Sequence, residues 1–422
     1  NSTGDKNIAI GYQALDANNT ADNNVAVGDS ALKANTADNN TAVGACSLFT
    51  NTTGTLNTAV GVCSSFAMTT GQQNISMGGS SLTANTTGSR NSALGQSSLA
   101  VNVSGNDNVA VGHGSLSANT TAHENTAVGR ASLQSNQTGT SNVAVGFKSL
   151  NANTTGSQNV AVSNSALRLN TTGRCNVAIG YLALDANTTA CDNVAIGSCA
   201  LKLNQTGARS VAIGDGALDS ATGGCNTAIG TNALGAVTSG TESVAVGFQA
   251  GGWNVNSTTG DHNVFIGAYT SPSASADTCT LIISANAGAN SKGSSTGFIQ
   301  GGNGGIYQGN NASTWSTTSD RRIKKNIIDN NIGLDKISQI QVRNFEYRTE
   351  DEITDFENPK AAVIDKQGIQ LGVIAQEIEL ILPDVVKEES TGVKSVNPDN
   401  LTWYMINAIK ELKARIETLE NN

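Results

Sequence analysis

The stretch STTSDRRIKKN, residues 316–326, sets a hydroxyl, a carboxylate and four cations side by side: Ser319, Asp320, Arg321, Arg322, Lys324 and Lys325. A serine hydroxyl is a weak nucleophile until a base takes its proton. A lysine amine is such a base only when neutral, and neighbouring cations disfavour the ammonium form. The parts for acyl chemistry at the backbone are therefore present. The plainer reading of the same residues is a helix cap at Ser319 and Asp320 followed by a solvated basic face.

This stretch is also where the chain changes character. Residues 319–422 hold 14 Lys/Arg and 19 Asp/Glu, whereas the preceding 318 residues hold only 10 and 14. A long segment so poor in charge, with 17 aromatics in the whole chain, is either disordered or built from a repeat that needs little core. The net charge of -9 and the lack of a basic stripe argue against nucleic acid. No apolar run is long enough to span a membrane, so no membrane insertion is expected. No signal peptide is visible, and the opening NSTGDKN, without Met and already inside a repeat, reads as a fragment whose N-terminus is missing. The seven Cys and three His show no metal-ligand spacing, so neither a metal nor a cofactor is expected. Cys46, Cys63 and Cys199 share one phase of the repeat and read as small residues of a stacked column, without disulfides.

The repeat is plain. NIAIG ends at Gly11, NVAVG at Gly28, and the series runs through Gly44, Gly61 and Gly78 to NVFIG at Gly267, in sixteen copies spaced mostly by 17 residues. Ser163 stands where one Gly is lost. The residue before each Gly is large and apolar, and the one before that is small, with Phe265 the exception. Alternation at period two predicts a short strand with unlike faces. A Leu four residues after most of the Gly (Leu15, Leu32, Leu48) predicts a second short strand, an Asn follows it, and NTTG or NQTG makes the turn. Each copy is then one rung of a β-solenoid. Sixteen rungs at about 4.8 Å each would run roughly 75 Å, with apolar columns and Asn ladders inside. The small Ala column is expected to meet another backbone closely, so an oligomer, most simply a homotrimer, is expected.

The rung NVAVGxxAL resembles the YadA-like head repeats of trimeric autotransporter adhesins over residues 1–268. That resemblance implies a trimeric left-handed parallel β-roll. The family repeat is shorter, so the extra residues here should enlarge the NTTG turn. Residues 269–318 break the pattern and read as a short Gly-rich β stalk or knob.

The charged tail, residues 319–422, reads as a small α+β domain. QLGVIAQEIELILPDVV has helical spacing that stops at Pro383, and GLDKISQIQVRNFEY mixes helix and strand signals. NPDNLTWYMINAIKELKARIETLENN is a helix capped by Asn397 or Asp399. Met405, Leu412 and Leu419 take one heptad position, Ile409 and Ile416 the other, which predicts a parallel coiled coil, trimeric if the body is.

Together, SDRRIKKNI, GVIAQE and the closing heptad helix resemble the endosialidase-type intramolecular chaperone, a self-cleaving serine peptidase domain at the C-terminus of phage tail fibres and tailspikes. The resemblance implies that the domain trimerises, sets the register of the β-structure before it, and then cuts itself off. Its S-D-x-R-x-K pattern falls on Ser319, Asp320, Arg322 and Lys324, with Ser319 as nucleophile and Lys324 as base. Ser319 Oγ would attack the Thr318 carbonyl, giving an ester by N-to-O acyl shift, and water would free Thr318. Arg321, Arg322 and Lys325 would favour the neutral amine of Lys324. Either Arg322 or backbone N–H groups would hold the oxyanion, and Asp320 would orient either Lys324 or Arg322.

A removable chaperone has a physical rationale in such a chain. Near-identical rungs can pair out of register at little cost, and bringing three chains together costs entropy. A trimeric tail fixes alignment first, and its loss afterwards makes unfolding slow to reverse. The expected function is thus a trimeric viral tail fibre or spike, made in the host cytoplasm and carried extracellularly on the virion. It would join other tail proteins through the missing N-terminus and bind a host cell-surface glycan or protein receptor. The alternatives are a polysaccharide-degrading tailspike, for which no carboxylate pair stands out, and a bacterial surface adhesin.

Overall fold

The computed structural model describes residues 2–252, 256, 258–285, 289–291, 294–301, 304–308, 321, 324–349, 352, 367–388 and 393–421. The chain divides into two compact units, residues 1–318 and 319–422.

The first unit is a parallel β-solenoid. Sixteen three-residue strands, β1 (Ile8–Ile10) to β16 (Val264–Ile266), each pair in parallel with the next. The register is repeated from rung to rung, so that Ala9 lies beside Ala26 and Ala26 beside Ala42. The Gly that ends each strand sets this spacing. Gly129 has φ +129°, and a Cβ there would lie 2.5 Å from the carbonyl oxygen of Gly146 in the next rung. A residue with a side chain is strained in a backbone that turns so and stacks so closely. Ser163 holds the same conformation at φ +118°.

The strand faces are the reverse of the sequence expectation. The central residue of each rung from Ala26 to Ala245, Ser76 in β5 and Ala in the others, is completely buried inside the roll, and Phe265 takes its place in β16. The larger residues on either side face outward: Val43, Ile179, Ile196 and Ile229 are 37–40 % exposed. The Ala column is thus an interior column and not a surface for another backbone. The reason is the source of the bulk. In most rungs one Leu fills the narrow interior, and only a small side chain fits against it.

That Leu does not stand on a second strand. The residues after each Gly form turns, and Leu32, Leu48, Leu99 and Leu133 have left-handed φ near +50° while remaining fully buried. The residue two before the Leu is left-handed as well, as at Ser30 and Ser97. Backbone bonds to the neighbouring rungs hold this alternating conformation: Ser97 N–H donates to Gly79 O, and Leu99 N–H to Ser115 O. Each buried Leu contributes about 1.5–3 kcal/mol, which offsets the cost of its own left-handed backbone.

The Asn residues form two internal ladders. In the one after the Leu, Nδ2 of Asn102, Asn119, Asn136, Asn153 and Asn170 each donates to Oδ1 of the Asn one rung earlier. The Asn that precedes each strand builds another. Asn108 donates through its backbone N–H and Nδ2 to Asn91 Oδ1, and through Nδ2 to Ala122 O. Met68 interrupts the first ladder and leaves Asn51 Oδ1 without a partner. All seven Cys are free. Burial and the neighbouring Cys63 push the Cys46 thiol above its usual range.

The ladder outlasts the sequence repeat. β17 (Leu281–Ser284) pairs in parallel with β16, and β18 (Gly297–Gly301) in parallel with β17, before β19 (Gly304–Gln308) turns back antiparallel on β18. The described part of the segment read as a stalk therefore adds rungs to the roll, with Ile282 and Phe298 continuing its buried column.

The second unit is a small α+β fold with short elements: α1 (Leu334–Ile337), β20 (Arg343–Phe345), β21 (Gln370–Gly372), α2 (Ala375–Ile381), a 3-10 turn at Pro383–Val385, β22 (Val386–Glu388), β23 (Lys394–Val396) and α3 (Pro398–Glu420). β20 pairs with β21 and β22 with β23, both antiparallel. Ile378, Leu382, Val385 and Tyr404 form its core. Asn397 caps α3, its Oδ1 accepting from Asn400 N–H at 3.4 Å, with Pro398 as the first helical residue.

Candidate self-processing site

Of the residues assigned to self-cleavage, Lys324 is described. Thr318, Ser319, Asp320 and Arg322 lie outside the described residues, so their distances to Lys324 are not part of the geometry. Lys324 is exposed, and its backbone N–H donates to Arg321 O at 3.2 Å. Lys325 is exposed beside it.

The segment that follows this strip is anchored to α3. Residues 330–335 lie along one face of α3. Asn407 Nδ2 donates to Asn330 O at 2.6 Å and to Ile332 O at 3.2 Å. Glu411 Oε2 accepts from Leu334 N–H at 3.1 Å, and Arg415 NH2 lies 3.3 Å from Asp335 Oδ1. Asn407, Glu411 and Arg415 are spaced four apart, so they share a helix face. Gly333 lets the strand meet the helix: a Cβ there would lie 2.6 Å from Ala408 N. None of these anchors was assigned from the sequence. The available signal was the polar i, i+4, i+8 series beside the heptad stripe of the same helix.

The GVIAQE motif has a structural role. Gly372 ends β21 opposite Arg343, and a Cβ on it would lie 3.0 Å from the Phe345 ring. Val373 packs on the core, and Glu377 in α2 takes a two-pronged ion pair from Arg343, at 3.0 and 3.2 Å. A second brace joins Lys394 to Glu379. Tyr404 on α3 donates to Asp384 Oδ2 at 2.6 Å. That hydrogen bond, with burial, pushes the phenol above its usual range. Helix, sheet and residues 330–335 are thus tied into one frame. Among the described residues no group of three His, Cys, Asp or Glu could hold a metal ion, and no helix is long and apolar enough to cross a membrane.

Residues 319–387 match the model of the family described as the chaperone of endosialidase. Over those residues the C-terminal unit is similar to that family, which is a peptidase family by name. With a parallel β-solenoid ahead of it in the chain, the match fits a tail fibre or tailspike protein. No curated protein and no solved structure matches the chain.

Proposed function

We propose that this chain is a trimeric tail fibre or spike subunit for host-surface attachment, and that its C-terminal domain aligns three chains and then releases itself between Thr318 and Ser319. Ser319 Oγ attacks the Thr318 carbonyl while Lys324 accepts its proton, the Thr318–Ser319 C–N bond breaks as the Ser319 nitrogen takes that proton back, and water hydrolyses the resulting ester to free the Thr318 carboxylate and the Ser319 hydroxyl. Arg322 or backbone N–H groups stabilise the oxyanion, and Asp320 orients the basic residues. The observation that carries this reading is the match at 319–387, which begins at the nucleophile itself.

The trimer has separate support. On α3, Met405, Ile409, Leu412, Ile416 and Leu419 are all exposed in the single chain, Leu419 by 77 %. A heptad stripe of that kind is stable only when it is covered by other helices. Along the roll, the outward Val and Ile columns give each rung an apolar edge of the same kind, which a second and third roll would bury.

Denaturing mass analysis of wild type beside Ser319→Ala and Lys324→Ala tests the scission. Wild type should give fragments 1–318 and 319–422, and both variants the intact chain. An intact wild-type chain after assembly would overturn it.

A further inference from the structure

The Cys residues are spread along the roll, but two of them are stacked. Cys46 and Cys63 each stand two residues after the Gly that ends their strand, on the successive rungs of β3 and β4. The other Cys have no such neighbour. Cys199 shares the column but stands eight rungs beyond Cys63. Cys175, Cys225 and Cys279 share a different column at intervals of three rungs, and Cys191 is alone in its own.

The backbone brings the pair into register. β3 lies on β4 with Thr41 beside Thr58 and Val43 beside Val60. Beyond the strands, Cys46 N–H donates to Asp29 O at 2.8 Å and Cys63 N–H to Ala45 O at 2.9 Å. Both residues hold the same left-handed turn, at φ +55° and +54°. Like register and like conformation send the two side chains off the same side of the roll, one above the other. Stacked rungs lie about 4.8 Å apart, inside the Cα separation of about 4.4–6.8 Å that a disulfide spans. The two thiols are in hydrogen-bonding contact. Both are free and half-buried, so a small reagent can reach them from solvent. Burial, Cys63 and Asp29 push the Cys46 thiol above its usual range, with Lys33 opposing. The pair is therefore slow to react at neutral pH, because the thiolate is the nucleophile.

We propose that Cys46 and Cys63 form a modification site, closed by a small disulfide of the glutathione type (RSSR) into a cross-link between the third and fourth rungs. One protein thiolate attacks a sulfur of RSSR, the S–S bond breaks, and the first RSH leaves. The other thiolate attacks the protein sulfur of the mixed disulfide and expels the second RSH. The pair loses two electrons and two protons, and RSSR gains them. The new bond closes the loop from 46 to 63, which stabilises the fold mainly by restricting the unfolded chain. Only a correctly stacked pair can close, so the bond fastens these two rungs in register. Outside a cell, where disulfides persist, it would act after the roll has formed.

Peptide mapping without reduction tests this. The full chain is treated with oxidised glutathione, and the remaining thiols are blocked with iodoacetamide. The expected product is a Cys46–Cys63 linkage, two hydrogens lighter than the reduced pair and carrying no block. Cys199, with no stacked partner, should carry the block or a glutathione. The oxidised roll should melt at a higher temperature than the reduced one, and dithiothreitol should reverse the rise. Cys63→Ser should lose both the linkage and the rise, and an equal rise in that variant would overturn the assignment. Recovery of Cys46 and Cys63 both blocked, or both bearing glutathione, from oxidised wild type overturns the proposal. So does linkage of either to another cysteine. If Cys63→Ser fails to fold, the map of wild type still decides the matter.

Discussion

Asn153 Nδ2 donates to Asn136 Oδ1 across one rung at 2.8 Å, and both amides lie wholly inside the roll. Each of these side chains serves its neighbours on both sides. Asn136→Ala would strip Asn119 Oδ1 of its donor and leave one N–H of Asn153 unmet. Each orphaned group costs about 1–3 kcal/mol. The denaturation midpoint of the roll should fall accordingly, while an exposed change such as Thr155→Ala should leave it nearly unmoved.

Ser163 is the reciprocal case. It holds φ +118°, a conformation that Gly holds in the neighbouring rungs. Strain of this type costs about 1–3 kcal/mol in a residue with a side chain, against about 0.5–1 kcal/mol of extra chain entropy for Gly. Ser163→Gly should therefore raise stability by about 1 kcal/mol, read as a higher melting temperature. A lower one would contradict the strain argument.

Asp277 governs the acid behaviour of the rungs near β17. Burial pushes its carboxyl up, but this is outweighed by hydrogen bonds from the Ser273 hydroxyl, the Ala274 N–H, the Ser291 hydroxyl and the Ser273 N–H, which hold it below its usual range. A carboxyl whose folded pKa is depressed stabilises the fold fully above its unfolded value, about 3.9. That contribution is lost as pH falls through the lower folded value. Asp277→Asn should lower the melting temperature at pH 7 and flatten its dependence on pH below about 4.

The heptad stripe and the roll test assembly separately. Ile409→Lys with Ile416→Lys should give single chains by sedimentation, because each interior lysine must shed its hydration to enter a coil. Val145→Lys with Ile196→Lys changes outward residues of the roll and should leave each chain's rungs intact by circular dichroism while weakening the trimer. A trimer that survives both pairs would remove the proposed interfaces.

Asn407 links helix α3 to the strip that follows Lys324. Asn407→Ala removes both of its bonds to residues 330 and 332, each worth about 0.5–1.5 kcal/mol. If that strip positions the base, release of the C-terminal domain should slow roughly tenfold with the domain still folded. An unchanged rate would place the control of cleavage elsewhere.

Much of the roll is legible from the residues because its constraints are local. The turn that ends each strand favours Gly at all but one rung, the strand before it alternates, and the heptads of α3 state their own period. What alternation cannot say is which face is inside. The usual rule that bulk goes inward fails here, since Leu32 and its equivalents enter from a left-handed turn and leave room only for Ala26 and Ala42. β17 and β18 read as part of a stalk and not as further rungs, because LIIS and GFIQG keep the strand and drop the NxAxG pattern. At the proposed cleavage segment the motif names Lys324, but the anchors of the residues after it, Asn407 to Asn330 and Glu411 to Leu334, span 77 residues, a separation that no short motif encodes.

The backward turn of β19 on β18 has a consequence for growth. A pile of like rungs exposes, at its top, the same row of backbone donors and acceptors on which its own next rung was laid, an invitation to any stray copy of the repeat. By reversing direction there, the chain offers newcomers the wrong polarity. The rod thus carries its own stop signal, and its length is written in the gene rather than left to concentration.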